Sequence, residues 1–231
     1  MTFADQVLRF HFSLRPDWDI PEPFKIIYPY DNPATREAMT LFYQKFYADH
    51  QPRIFLFGIN PGRFGAGVTG VPFTDPIRLW EKCGIPNDFA RRQELSSVFV
   101  YEFIDAFGGI DWFAQRFYIT SLSPLGFLLD GKNCNYYDDR QLQTATEPYI
   151  VKNLATQLAF GGDRRVAICI GKGQNAAYFQ RLNERYQFFD TIIPLPHPRW
   201  VMQYRRKQME TFRREYVETL KTLWKTYHLN P

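Results

Sequence analysis

Two hydrophobic rhythms run along the chain. The first is helical. Phe3, Val7, Phe10 and Leu14 recur at spacings of three and four, which predicts a helix over residues 3–14 with one apolar face against the body. Ala38, Phe42 and Phe46 give a second stripe, and Asn32-Pro33 supplies its start, Asn as cap and Pro at the first helical position. Further helical stretches are predicted at residues 77–83, 96–107, 110–116, 144–160 and from Gly171-Lys172-Gly173 to about Tyr186. The second rhythm is a set of short, nearly continuous apolar runs: Ile54-Phe55-Leu56-Phe57, residues 117–120, 165–170 and 189–195. Runs of this length, rich in β-branched and aromatic residues, read as strands covered on both faces. Prolines at 16, 21, 23 and 29 forbid a long regular element there and predict an extended wrap. Residues 131–139 read as a polar loop, and a long basic helix is predicted from about Met202 to Tyr227.

Strands alternate with helices. That order predicts a three-layer α/β/α fold around a mainly parallel four-stranded sheet, in a single domain spanning residues 1–231. The helices at 3–14 and about 202–227 flank it. Ligands of open α/β sheets bind outside the carboxyl ends of the strands, so the loops after those strands carry the candidate chemistry.

Composition narrows the options. Three cysteines, Cys83, Cys134 and Cys169, stand far apart with no C-x-x-C pattern, which argues against a zinc site or a disulfide framework. The thiols suit a reducing cytoplasm, or the nucleoid if the source is bacterial, and no apolar stretch is long enough for a targeting segment or a membrane span. Charge is uneven. Residues 197–231 hold eight Lys or Arg against three Glu, so that segment carries +5 of a net +4 and the rest of the chain about −1. A basic segment on a near-neutral body fits an anionic polymer, though a solvated helix face gives the same pattern.

The most informative stretch follows the first strong strand: Phe57-Gly58-Ile59-Asn60-Pro61-Gly62-Arg63-Phe64-Gly65, then Thr69-Gly70-Val71-Pro72-Phe73-Thr74. No G-K-[ST] closes it, so it is not a P-loop, and no G-x-G-x-x-G follows the strand, so a dinucleotide fingerprint is absent. It resembles the first motif of the uracil-DNA glycosylase superfamily, nearest to the single-strand-selective monofunctional (SMUG-type) glycosylases: G-x-N-P-G-x-F-G, a short spacer, then T-G-V-P-F. A second motif of that family, His-Pro followed by Arg, is matched by His197-Pro198-Arg199 after the last predicted strand. The likeness covers roughly residues 30–205. Three cysteines cannot supply the four-cysteine iron–sulfur cluster of several branches, and no metal or organic cofactor is implied.

The resemblance implies roles. Asn60 positions the water that attacks the sugar C1′; an amide holds and orients water without serving as a strong base. His197 donates a hydrogen bond to the oxygen of the departing base, where charge develops. Phe73 stacks on the flipped base. Ile59, Gly62 and Phe64 on the same loop complete the base-binding set, with Ser121. Two departures stand out. The family's H-P-S-P-R reads H-P-R-W here, so either Arg199 or Trp200 serves as the wedge that fills the vacated stack. The family's N-L-C-P-L reads Ser121-Leu122-Ser123-Pro124-Leu125, and a hydroxyl cannot make the two-pronged contact of an Asn to uracil. Lys132 and Asn133 resemble the family's DNA-side G-R-N loop, Lys172 lies at a helix start that can hold a phosphate, and Arg205 and Arg206 begin the basic segment. For both short loops an ordinary surface turn is an equal alternative.

The expected function is therefore a monofunctional DNA glycosylase, a monomer that flips and hydrolyses deaminated bases from DNA in base excision repair, with no membrane association. Two alternatives stay open: a non-catalytic DNA-binding protein on the same fold, and an α/β enzyme acting on free nucleosides or nucleotides.

Overall fold

The computed structural model describes residues 1–227. In chain order the elements are α1 (Phe3–Ser13), β1 (Lys25–Ile27), α2 (Pro33–Tyr47), β2 (Arg53–Gly58), α3 (Ala66–Thr69), α4 (Pro76–Glu81), α5 (Leu95–Phe107) and α6 (Ile110–Ala114). They continue with β3 (Phe117–Ser121), β4 (Gly126–Leu129), β5 (Lys132–Cys134), α7 (Arg140–Leu158), β6 (Gly162–Ile170), α8 (Gln174–Tyr186), β7 (Thr191–Leu195), α9 (Pro198–Tyr204) and α10 (Met209–Thr226).

The four apolar runs form one parallel sheet in the order β3-β2-β6-β7. All six residues of β2 and all five of β3 are buried, as a strand with both faces covered requires. Alternation then sorts the side chains. Phe55, Phe57, Ala167 and Cys169 face a core shared with α1, α2, α7 and α8, while Ile54, Leu56, Val166 and Ile168 face a second core shared with α5, α9 and α10. The chain leaves β2 for β3 on one side and later returns to β6 on the other. That reversal opens a crevice at the carboxyl end of β2, next to Gly58 and its register partner Ser121.

Two predicted elements need correction. Residues 131–139 are not all loop: β5 pairs with β4 in a hairpin, and β1 completes a separate antiparallel sheet, β1-β4-β5. The connecting Asp130-Gly131 both take positive φ (49° and 70°), the two-residue turn that matches strand twist. Asp-Gly between β4 and β5 is thus a hairpin signal. The C-terminal helix is not continuous either. It starts at Pro198, breaks at Arg205, makes a short 3-10 turn over Arg206–Gln208 and resumes as α10. Asn32 caps α2 as its sequence predicts, accepting from the Ala34 and Thr35 amides. No helix among the described residues is long and apolar enough to cross a membrane.

Candidate active site

A cleft of about 850 Å³ opens at the carboxyl edge of the parallel sheet. It is lined by Ile59, Asn60, Gly62, Phe73, Ser121, Asn133, Lys172, His197, Arg199 and Trp200, residues from four separate strand ends. Phe64, Lys132, Arg205 and Arg206 do not line it. Phe64 sits half-buried beside the loop, its ring covered by the guanidinium groups of Arg63 (4.5 Å) and Arg92 (5.0 Å). Arg205 stacks over Trp200 at 5.0 Å, and Lys132 and Arg206 are exposed on the surface.

The glycine loop is tied down. Thr69 Oγ1 donates to the Thr74 carbonyl (2.7 Å) and accepts from the Val71 amide (3.2 Å), and the Gly67 amide donates to the Gly62 carbonyl (2.8 Å). This turn holds Phe73 in the left-handed region, φ 52°, a conformation that costs a bulky residue on the order of 1–2 kcal/mol. Gly58 makes room for the result: a Cβ there would lie 2.8 Å from the Phe73 ring. The ring ends 5.7 Å from that of His197, at 49° between planes. The two rings thereby meet, tilted, beside the end of β2.

Asn60 is clamped by the hairpin. Its Nδ2 donates to the carbonyls of Cys134 (3.2 Å) and Pro61 (3.4 Å), and its Oδ1 accepts from the Tyr136 amide (3.1 Å). Those partners fix which end of the amide is oxygen. One lone pair of Oδ1 remains to hold a water. Tyr136 is in turn anchored, its hydroxyl donating to Asn175 Oδ1 at 2.7 Å, and the Asn175 amide donates to Cys169 Sγ and the Ile170 carbonyl.

His197 caps α9. Its Nδ1 accepts from the Arg199 amide at 3.1 Å, so in the neutral ring Nε2 carries the proton. Burial, aided by the Arg199 charge, lowers its pKa to about 4. The imidazole is therefore neutral near pH 7, with Nε2–H left as a fixed donor.

Ser121 is buried at the end of β3, and among the described residues its hydroxyl makes no hydrogen bond within the protein. Of the other amides lining the cleft, Asn133 accepts through Oδ1 from the Arg63 amide, and Asn135 donates through Nδ2 to Asp138. Lys172, though in the cleft, is paired with Glu215 at 3.0 Å. Sequence reasoning missed Glu94, Ser96, Tyr137, Gln203, Tyr204 and Phe212, which also line the cleft. They lie outside both motifs, and only the fold brings them in. Among the described residues no group of three or more His, Cys, Asp or Glu is placed to hold a metal ion.

The fold is a parallel sheet with a motif-bearing crevice at its switch point, an amide after β2 and an imidazole after β7. Residues 44–221 match the Uracil DNA glycosylase superfamily, and the chain belongs to that family. The crystal structure of wild-type SMUG2 from Pedobacter heparinus superposes with a TM-score of 0.93 at 40% sequence identity, over 96% of this chain and 98% of that one. No curated protein matches the sequence.

Proposed function

We propose that this protein is a monofunctional DNA glycosylase that hydrolyses the N-glycosidic bond of deaminated bases, uracil together with hypoxanthine and xanthine, in base excision repair. The observation that carries the reading is His197, its Nδ1 filled by the Arg199 amide and its ring set beside Phe73, across the cleft from the clamped Asn60. The flipped base stacks on Phe73, Asn60 Oδ1 holds the attacking water, and His197 donates to the base oxygen as the C–N bond breaks. A donor preorganised toward developing charge accelerates the step because it binds the transition state more tightly than the ground state. Trp200, 40% exposed and propped edge-on by Phe212 at 5.7 Å, or its neighbour Arg199, fills the space the flipped base leaves. Ser121 leaves room for purines, and its single hydroxyl meets the carbonyl that all three bases share.

The test uses oligonucleotides carrying uracil, hypoxanthine or xanthine. Alkali-labile sites should form with wild-type protein and become scarce with Asn60→Ala, while borohydride traps no covalent adduct because Lys172 is not a free nucleophile. Release of base from free nucleosides alone would replace DNA with a small substrate. DNA binding without any base release would leave a non-catalytic protein.

A further inference from the structure

The cleft holds a carboxylate that neither motif supplies. Glu94 lies in the segment before α5, and its carboxylate rests on the glycine loop: a Cβ on Gly62 would stand 2.9 Å from Glu94 Oε1, and one on Gly65 would overlap Oε2. The loop is bare of side chains at both positions where this carboxylate touches it. Its backbone is held too, the Glu94 amide donating to Asp75 Oδ2 at 2.9 Å.

Hydrolysis needs somewhere for a proton to go. When water attacks C1′, an O–C1′ bond forms, the C1′–N bond breaks with its electron pair on the base, and the water must shed a proton. Asn60 cannot take it, because an amide oxygen orients water but is not basic. His197 cannot, since Nδ1 is filled by the Arg199 amide and Nε2 already carries a proton. Lys172 is held in an ion pair with Glu215. Among the described lining residues Glu94 is the sole Asp or Glu.

We propose that Glu94 is the proton acceptor of the hydrolytic step, and that its charge also stabilises the cationic sugar; this rests on the glycosylase reading above. The water proton passes to the Glu94 carboxylate and then to solvent, while the base anion, held by His197, is reprotonated from solvent. The surroundings suit the task. Burial raises the carboxyl above its ordinary value, the Asp75 carboxylate at the cap of α4 pushes the same way, and the Ser96 hydroxyl and the Arg199 guanidinium of α9 oppose them. Asn133, the β5 residue nearest this corner of the loop, is uncharged. A base with a raised pKa matches neutral operation better than an ordinary carboxylate.

The experiment measures single-turnover release of uracil from a labelled oligonucleotide across pH, for the full chain and Glu94→Gln, with affinity for an uncleavable abasic-site oligonucleotide measured alongside. Glu94→Gln should slow release roughly a hundredfold or more, the size of a general-base effect, and remove the acidic limb of the pH profile assigned to Glu94. Any remaining limb belongs to His197, nearer pH 4. Affinity should not change. In Glu94→Ala, added formate should restore part of the rate, which a merely structural carboxylate would not allow. Unchanged rate and pH profile in Glu94→Gln with an active wild type would overturn the role of Glu94 alone. So would a Glu94→Ala protein that formate fails to rescue. A wild type that releases no base overturns the glycosylase reading and this role with it.

Discussion

His197 shows how much a single hydrogen bond decides. The Arg199 amide occupies Nδ1 and so assigns the ring proton to Nε2. Removing that donor in His197→Ala should slow base release by about 3 kcal/mol of barrier, roughly a hundredfold, with little loss of DNA affinity; a loss confined to affinity would move His197 out of the chemistry. The sign of its pH dependence follows from burial. The folded value of about 4 lies below the ordinary 6.5, so the unfolded chain takes up the proton first. The stability held by the neutral ring is complete above pH 6.5 and is lost as pH falls toward 4, and thermal melts of wild type and His197→Ala should converge over that window. Ser121 carries the other residue-scale prediction. An Asn there would add a rigid donor and acceptor pair beside Gly58, so Ser121→Asn should shift preference toward uracil and away from hypoxanthine and xanthine. Equal ratios for the three bases in both proteins would remove Ser121 from specificity. Asn60, Phe73 and His197 were legible in the sequence because each stands at fixed spacing in a motif. Glu94 was not, since nothing near residue 94 marks it and only the packing of α5 against the glycine loop brings it to the cleft.

At the scale of elements, the hairpin is the part the sequence concealed. β5 is three residues long and largely polar, so its pairing with β4 leaves almost no hydrophobic alternation to read. Its Asp130-Gly131 turn stands in a polar stretch, with no apolar run after it to mark a second strand. Yet this hairpin positions Asn60, through Cys134 and Tyr136. The parallel strands, by contrast, were legible because a strand covered on both faces must be apolar throughout. Tyr136→Phe tests the hairpin's function. It deletes only the hydroxyl, leaving the amide that Asn60 uses, and strands the buried Asn175 Oδ1. An unpaired buried acceptor costs about 1–3 kcal/mol, a fall in Tm of roughly 2–4 °C for each kcal/mol in a chain of this size. Because the anchor of the Asn60 clamp is loosened, the excision rate should also drop while DNA affinity holds. A lower Tm with an unchanged rate would show that the Asn60 amide is positioned without the Tyr136–Asn175 tie.

Across the whole molecule, the charge excess of the C-terminal segment divides once its partners are known. On α10, Arg213 is bound to Glu210 (2.7 Å) and lies 3.6 Å from Glu102, while Arg214 lines a groove with Glu215 and Glu218. That helix thus holds Arg213 in ion pairs within the protein and buries Tyr216, Val217, Leu220 and Leu223 against the second core. The break at Arg205 separates it from α9, which carries Arg199 and Trp200, and α10 itself adds Phe212 to the cleft lining. Arg199 lines the cleft and Arg205 covers Trp200 at its rim, with Arg206 next in the chain and exposed; Arg63 and Arg92 flank Phe64 beside the glycine loop. A strand of DNA laid across the mouth of the cleft would run between these two basic edges. Each phosphate neutralised releases counterions, and log affinity falls with log salt by about 0.9 per contact on duplex and about 0.7 on single strands. Neutralising Arg205 and Arg206 together should therefore flatten the salt slope by about 1.8 on duplex or about 1.4 on a single strand. Arg213→Gln, already paired internally, should leave the slope where it is. Titrations of labelled oligonucleotides at several salt concentrations read both. If Arg213→Gln flattened the slope and the double variant did not, DNA would run along α10 instead, and the cleft mouth would not be where the strand lies.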